Sequence, residues 1–256
     1  MMQRQHRGRA VVWGGLLAVL ACSGNGTDAA PPRRAAARKA ARTAREESTT
    51  SAQSGATRAS VTADTTDRTG APRVLFLGTS LTFGYGLETP ESESYPAVLQ
   101  QIADSLGVRA RMVNAGLSGE TSAGALRRAD WLLREHADVV VIETGANDGL
   151  RGLDPDSTAA NLRALVGKVR AKSSTTRILL VQMEAPTNLG AAYTRQFHAI
   201  FPSVATSEHV VLLPFLLEGV AGVARLNQPD GIHPTAEGAR RAARNVWAPL
   251  ARAIGG

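Results

Sequence analysis

Five short runs between residues 72 and 256, at 73–77, 110–114, 138–143, 178–183 and 210–213, are rich in Val, Ile and Leu, and their apolar residues are largely consecutive rather than alternating with polar ones. A strand apolar on both faces is covered on both faces, so these runs predict buried strands of a parallel sheet. Helical patterns fill the gaps at 95–106, 121–135, 157–172, 191–207 and 235–253. The first has Pro96 in its opening turn, Gly107 just past its end, and apolar Val98, Leu99, Ile102, Ala103 and Leu106 on one side. Alternating strand and helix predict an α/β fold, a three-layer α/β/α sandwich on a five-stranded parallel sheet. In such folds ligands bind where loops leave the carboxyl ends of the strands. The stretch is long enough for one domain with a full core, and it contains no internal repeat.

The preceding residues have a different composition. Arg4, Arg7 and Arg9 lead into an apolar run over 10–21 that is short for a permanent membrane span, so residues 1–22 read as an export signal. The run ends in Val19-Leu20-Ala21-Cys22, which resembles a bacterial lipobox with a looser fit at Leu20. Two outcomes follow: lipidation of Cys22 as the first mature residue, or cleavage of an ordinary signal peptide nearby. As the only cysteine, Cys22 has no internal disulfide partner. Residues 23–71 are dominated by Ala, Arg, Ser, Thr, Gly and Asp and have too little apolar surface to offset ordering entropy. They read as a disordered basic linker. As a coil the linker would span roughly 40 Å.

The net charge of +7 belongs to this tail. Residues 1–71 carry 11 basic and 5 acidic side chains, whereas residues 72–256 carry 18 and 17. A fold that grips a phosphate backbone carries its basic patch on the fold, so nucleic acid is not an expected partner.

The strand ends carry the chemistry. After the first run comes Gly78-Thr79-Ser80-Leu81, where a serine in the turn leaving a buried strand is a candidate nucleophile or, equally, a helix-capping residue. G-x-S-x-G is absent. After the second comes Asn114 to Ser122, whose backbone N–H groups, Gly119 above all, can face a developing oxyanion or simply start a helix. After the third comes Gly145-Ala146-Asn147-Asp148-Gly149, with an amide donor in Asn147. Glu143 and Asp148 there suit hydrogen bonding around the site better than acid–base work.

Asp230-Gly231-Ile232-His233-Pro234 follows the last run. A carboxylate three residues before an imidazole suits a general base with its tautomer fixed, but the same residues also make a turn with Pro234 opening a helix. A metal site lacks the remaining ligands, and His136, His198 and His209 sit at or inside helices as structural residues.

These blocks together resemble the SGNH (GDSL-type) hydrolase family. The phrases LTFGYGL, VNAGLSGETS, ETGANDGLRG and DGIHP are closest to its bacterial acyl-CoA thioesterase, lysophospholipase and arylesterase branch. The resemblance covers nearly all of residues 73–253 and implies a flavodoxin-like fold without metal or organic cofactor. It implies Ser80 as nucleophile, His233 as general base and Asp230 as its orienting carboxylate, with the Ser80 N–H, Gly119 and Asn147 as oxyanion donors. By the same analogy Leu150, Leu153, Asn188, Leu189 and Gly190 border an acyl pocket. Thr79 departs from the family's usual acid in Gly-Asp-Ser-Leu.

The implied function is hydrolysis of short- to medium-chain esters, lysophospholipids or thioesters by an exported enzyme, anchored to a membrane if Cys22 is lipidated. Alternatives are an O-acetyl esterase of cell-wall or other polysaccharide and a catalytically silent ligand-binding lipoprotein on the same fold.

Overall fold

The computed structural model describes residues 70–255, so the export segment, Cys22 and all but the end of the linker lie outside the described residues. Five strands, β1 (Arg73–Gly78), β2 (Arg111–Gly116), β3 (Val139–Ile142), β4 (Arg177–Val181) and β5 (Val211–Leu213), form one sheet in the order β2-β1-β3-β4-β5. Every pairing is parallel. The helices are α1 (Ser80–Phe83), α2 (Pro90–Glu93), α3 (Tyr95–Ser105), α4 (Ser122–Leu132), α5 (Ala146–Leu150), α6 (Pro155–Lys172), α7 (Ala191–Ser207) and α8 (Ala236–Gly255). Helix α3 packs on α8, while α4, α6 and α7 pack in a row, which gives the sheet a helical layer on each face.

Strand order accounts for one difference from expectation. Residues 74–77 of β1, all of β3 and residues 178–181 of β4 are buried, as two-sided apolar runs require. β2 and β5 are partly exposed instead, because each has a neighbour on one side only and its outer side reaches the surface. Helix boundaries moved for local reasons. Asp154 caps α6 by accepting the Asp156 and Ser157 N–H groups, with Pro155 in the first turn, so this helix begins two residues early. α3 stops at Ser105, which leaves Leu106 exposed instead of on the buried face.

Pro234 does not open α8. It pairs with Asn227 in an antiparallel bridge, and Thr235 Oγ1 accepts the Gly238 N–H at the start of the helix. Gly238 fits there because a Cβ would come within 2.1 Å of the Leu226 carbonyl oxygen.

From β1 the chain crosses to β2 on one side and then passes back to β3 on the other. The loops leaving β1 and β3 therefore diverge, opening a crevice at their carboxyl ends. Ser80 follows one of these strands and Asn147 the other.

Candidate active site

Ser80 is the first residue of α1, separated from β1 by Thr79 alone, and is buried. The turn that presents it is held by Glu143, a fully buried carboxylate at the end of the adjacent strand β3. Glu143 accepts the backbone N–H of Thr79 at 2.9 Å and of Thr82 at 3.3 Å, so it fastens the chain on both sides of Ser80. The Thr79 and Thr82 hydroxyls donate to it at 2.9 and 2.8 Å, and buried Tyr95 lies 3.0 Å from Thr82 Oγ1. Burial pushes the Glu143 carboxyl up, and the hydrogen bonds from both threonines oppose that shift. Thr79, the departure in the first block, thus supplies a hydroxyl donor to a neighbouring carboxylate. An acid there would set two carboxyl groups against each other in the interior. The turn is too tight for side chains at its base: a Cβ at Gly78 would fall 1.8 Å from Thr82 Oγ1, and one at Gly116 2.2 Å from the Phe83 nitrogen.

The second half of the site comes from the loop between β5 and α8. His233 Nε2 lies 2.9 Å from Ser80 Oγ across 153 residues of sequence, and His233 Nδ1 lies 2.7 Å from Asp230 Oδ2. Asp230 Oδ1 also accepts the N–H groups of Ile232 and His233, each at 3.0 Å, a turn that left-handed Gly231 (φ +74°) allows. Burial works to raise the Asp230 carboxyl. The hydrogen bonds from the His233 ring and from the two N–H groups, with the attraction of a charged imidazole, outweigh it and hold the carboxyl at about 2. The Tyr85 ring packs against the His233 imidazole with centroids 4.6 Å apart.

The remaining expected residues lie on the loops after β2 and β3. Gly119 is in the left-handed region (φ +76°), and its carbonyl accepts Arg151 Nη2 at 2.9 Å. Among the described residues no acceptor takes the N–H of Gly119 or of Ser80. Asn147 Nδ2 donates to the Glu120 carbonyl at 3.0 Å, which fixes the amide and leaves its second hydrogen free. The Glu120 carboxylate pairs with Arg128, and Arg128 donates to the Gly78 carbonyl at 3.0 Å, so one chain of contacts joins three strand-end loops. Buried Asp148 accepts the Ser122 N–H and hydroxyl and the Thr158 hydroxyl, tying α5 to α4 and α6.

Ser80, Asn147 and His233 open onto a cavity of about 240 Å³, whose walls include Leu81, Leu150, Met183, Pro186, Phe215 and Ile232. Of the five residues expected at the pocket, Leu150 lines this cavity, while Leu153, Asn188, Leu189 and Gly190 lie outside its wall. The Leu153 carbonyl accepts the Tyr193 hydroxyl, and a Cβ at Gly152 would sit 3.6 Å from Leu189, so these loops lean on each other beside the cavity. Gly119 is not part of the wall either.

Sequence reasoning passed over Met183, Glu184, Pro186 and Phe215, although their places just after β4 and β5 were an available signal. His198 lies inside α7 and pairs with Glu184 at 2.6 Å, Glu184 itself lining the cavity. His136 pairs with Asp138 at 3.4 Å, before β3 and so at the opposite edge of the sheet. Among the described residues no group of three or more His, Cys, Asp or Glu side chains is placed to hold a metal ion.

A model of the GDSL-like lipase/acylhydrolase family matches residues 76–241. The chain is 40% identical over 186 residues to a Pseudomonas aeruginosa protein named esterase TesA, an alignment covering 72% of this chain and 90% of that protein. It is 39% identical over 165 residues to thioesterase 1/protease 1/lysophospholipase L1 of Escherichia coli K12, covering 64% and 76%. Among solved structures, TesA superposes with a TM-score of 0.67, 40% identity and coverage of 71% of this chain and 99% of that one. The psychrotrophic esterase EstA of Pseudoalteromonas, in a structure inhibited by monoethylphosphonate, also gives 0.67, with 32% identity and coverage of 72% and 99%. This chain belongs to the GDSL-like lipase/acylhydrolase family.

Proposed function

We propose that the protein is a serine carboxylic ester hydrolase acting through an acyl-enzyme. The contact sequence Ser80 Oγ, His233 Nε2, His233 Nδ1, Asp230 Oδ2, with gaps of 2.9 and 2.7 Å, carries this reading. Neutral His233, its Nδ1–H directed at Asp230, takes the Ser80 proton as Oγ attacks the acyl carbonyl. The resulting oxyanion is met by the Ser80 and Gly119 N–H groups and the free Asn147 amide hydrogen, donors in place before the charge develops. The imidazolium returns its proton to the leaving alcohol or thiol, and water repeats the sequence on the ester of Ser80.

The cavity falls slightly below the range of about 300–1,000 Å³ typical of small-molecule sites. With its mostly apolar wall, this suits a short or medium acyl chain, as in simple esters, lysophospholipids or thioesters. The names of the relatives, esterase and thioesterase/lysophospholipase, support the same class. The domain 72–256 is to be compared on p-nitrophenyl esters of increasing chain length and on an acetylated glycan, with Ser80→Ala as control. Activity on medium chains that vanishes in Ser80→Ala is expected. Equal rates for parent and variant would refute hydrolysis by Ser80, and activity confined to acetyl groups would favour the polysaccharide reading. We further infer export and anchoring through Cys22. Cys22→Ala is then expected to leave the membrane fraction, and unchanged association would refute the anchor.

A further inference from the structure

We propose that Gln228 is a positioning residue that clamps the loop carrying His233 onto the turn carrying Ser80. The proposal rests on the hydrolase reading above. His233 and Ser80 come from opposite ends of the domain, and His233 belongs to a loop whose Asp230, Gly231 and Ile232 are exposed. A loop of this kind needs something to set its distance from the nucleophile within the few tenths of an ångström that a hydrogen bond tolerates.

The Gln228 side chain spans that junction. Its Nε2 donates to the Tyr85 carbonyl at 2.7 Å and to the Pro234 carbonyl at 2.8 Å, which uses both amide hydrogens. Its backbone N–H donates to the His233 carbonyl at 2.7 Å, and its own carbonyl accepts the Gly231 N–H at 2.9 Å. On the nucleophile side, the Tyr85 N–H donates to the Ser80 carbonyl at 3.0 Å, and the Tyr85 ring packs on the His233 imidazole. One glutamine therefore ties the residues on either side of the general base to a residue bonded to the nucleophile's own backbone. The neighbouring loop leaves room for it: a Cβ at Gly86 (φ +72°) would fall 2.1 Å from Gln228 Oε1.

Losing the clamp removes no group that meets substrate, so binding is expected to survive while the approach of His233 to Ser80 loosens. A misplacement of about 1 Å in a reacting geometry is worth on the order of 10²-fold. A matched control is available in Gln100, which bridges α3 to the start of β2 through the Ala110 carbonyl and the Met112 N–H, at the sheet edge opposite the site.

The experiment measures kcat, KM and thermal unfolding for the parent, Gln228→Met, Gln100→Met and Ser80→Ala on the best p-nitrophenyl ester. Gln228→Met is expected to lower kcat by about tenfold to a hundredfold with KM within about twofold. Gln100→Met is expected to lower stability at least as much and leave kcat within about twofold. If Gln228→Met does not fold, Gln228→Asn keeps the amide but cannot reach both carbonyls, and it carries the same expectation. A Gln228 variant that retains kcat, changes KM alone, or loses no more kcat than Gln100→Met would overturn the proposal. Equal activity in parent and Ser80→Ala would instead overturn the hydrolase reading on which it rests.

Discussion

The two halves of the candidate site are built in opposite ways. The Ser80 turn grows out of a buried central strand and is fastened by the buried carboxylate of Glu143, with Thr79 and Thr82 also buried. The Asp230–His233 loop lies at the surface after an edge strand, and hydrogen bonds within and across the loop hold it. Ser80 is thus part of the core, whereas His233 hangs beside it. Faults in the turn are expected to appear as lost stability, and faults in the loop as lost turnover.

The largest effect separating the halves is expected from Asp230→Asn. The amide fixes His233 in the wrong tautomer, and in comparable triads this lowers kcat by about 10⁴. Because Asp230 is exposed, the same variant is expected to lose only a small part of the parent's stability in denaturant unfolding at neutral pH. A large stability loss would show that the loop belongs to the core after all. Asn147→Ala removes a proposed oxyanion donor and is expected to lower kcat by about 10² to 10³. A rate within tenfold of the parent would place Asn147 outside the hole.

Glu143→Ala tests the other half. It leaves the Thr79 and Thr82 N–H groups buried without an acceptor, and at about 1–3 kcal/mol for each such group the expected loss is roughly 2–4 kcal/mol, partly offset by removing a carboxyl whose burial is itself costly. Chemical denaturation checks it, and an unchanged midpoint would contradict the anchoring role.

The smallest effect concerns acid. Asp230 is held at about 2, below the ordinary carboxyl value of about 3.9 in an unfolded chain. Its contribution to stability is therefore fully present above about pH 4 and is lost as the pH falls through 2. Unfolding midpoints of the parent and Asp230→Asn are expected to converge over that window, and a constant difference would break the assignment.

Much of this contrast was visible in the residues. Continuous apolar runs marked the central strands, the rule that ligands gather at carboxyl ends drew attention to Ser80 and Asn147, and the spacing of Asp230 and His233 marked that pair, but only the family resemblance joined them into one candidate site. Exposure of β2 and β5 was not legible, because strand order is a tertiary property and the two edge runs look like the central ones. Glu143 was recognisable as a hydrogen-bonding neighbour of the site. Its partners Thr79 and Thr82 were not, since they lie more than 60 residues away and meet it only through the β1–β3 pairing. Gln228 carried no signal of its own, because its role consists of reaching two carbonyls that only the folded loops bring together. The cavity wall draws on the loops after all five strands except β2, and the family resemblance pointed to Leu150 but not to Met183 or Phe215.

The central claim is that Ser80, activated by His233, is the nucleophile. Intact-mass and peptide mapping after reaction with an alkyl phosphonate ester tests it directly, using the parent, Ser80→Ala and His233→Ala. One adduct on Ser80 in the parent, none in Ser80→Ala and strongly slowed labelling in His233→Ala are expected. Labelling elsewhere, or labelling of Ser80 that does not depend on His233, would contradict the account.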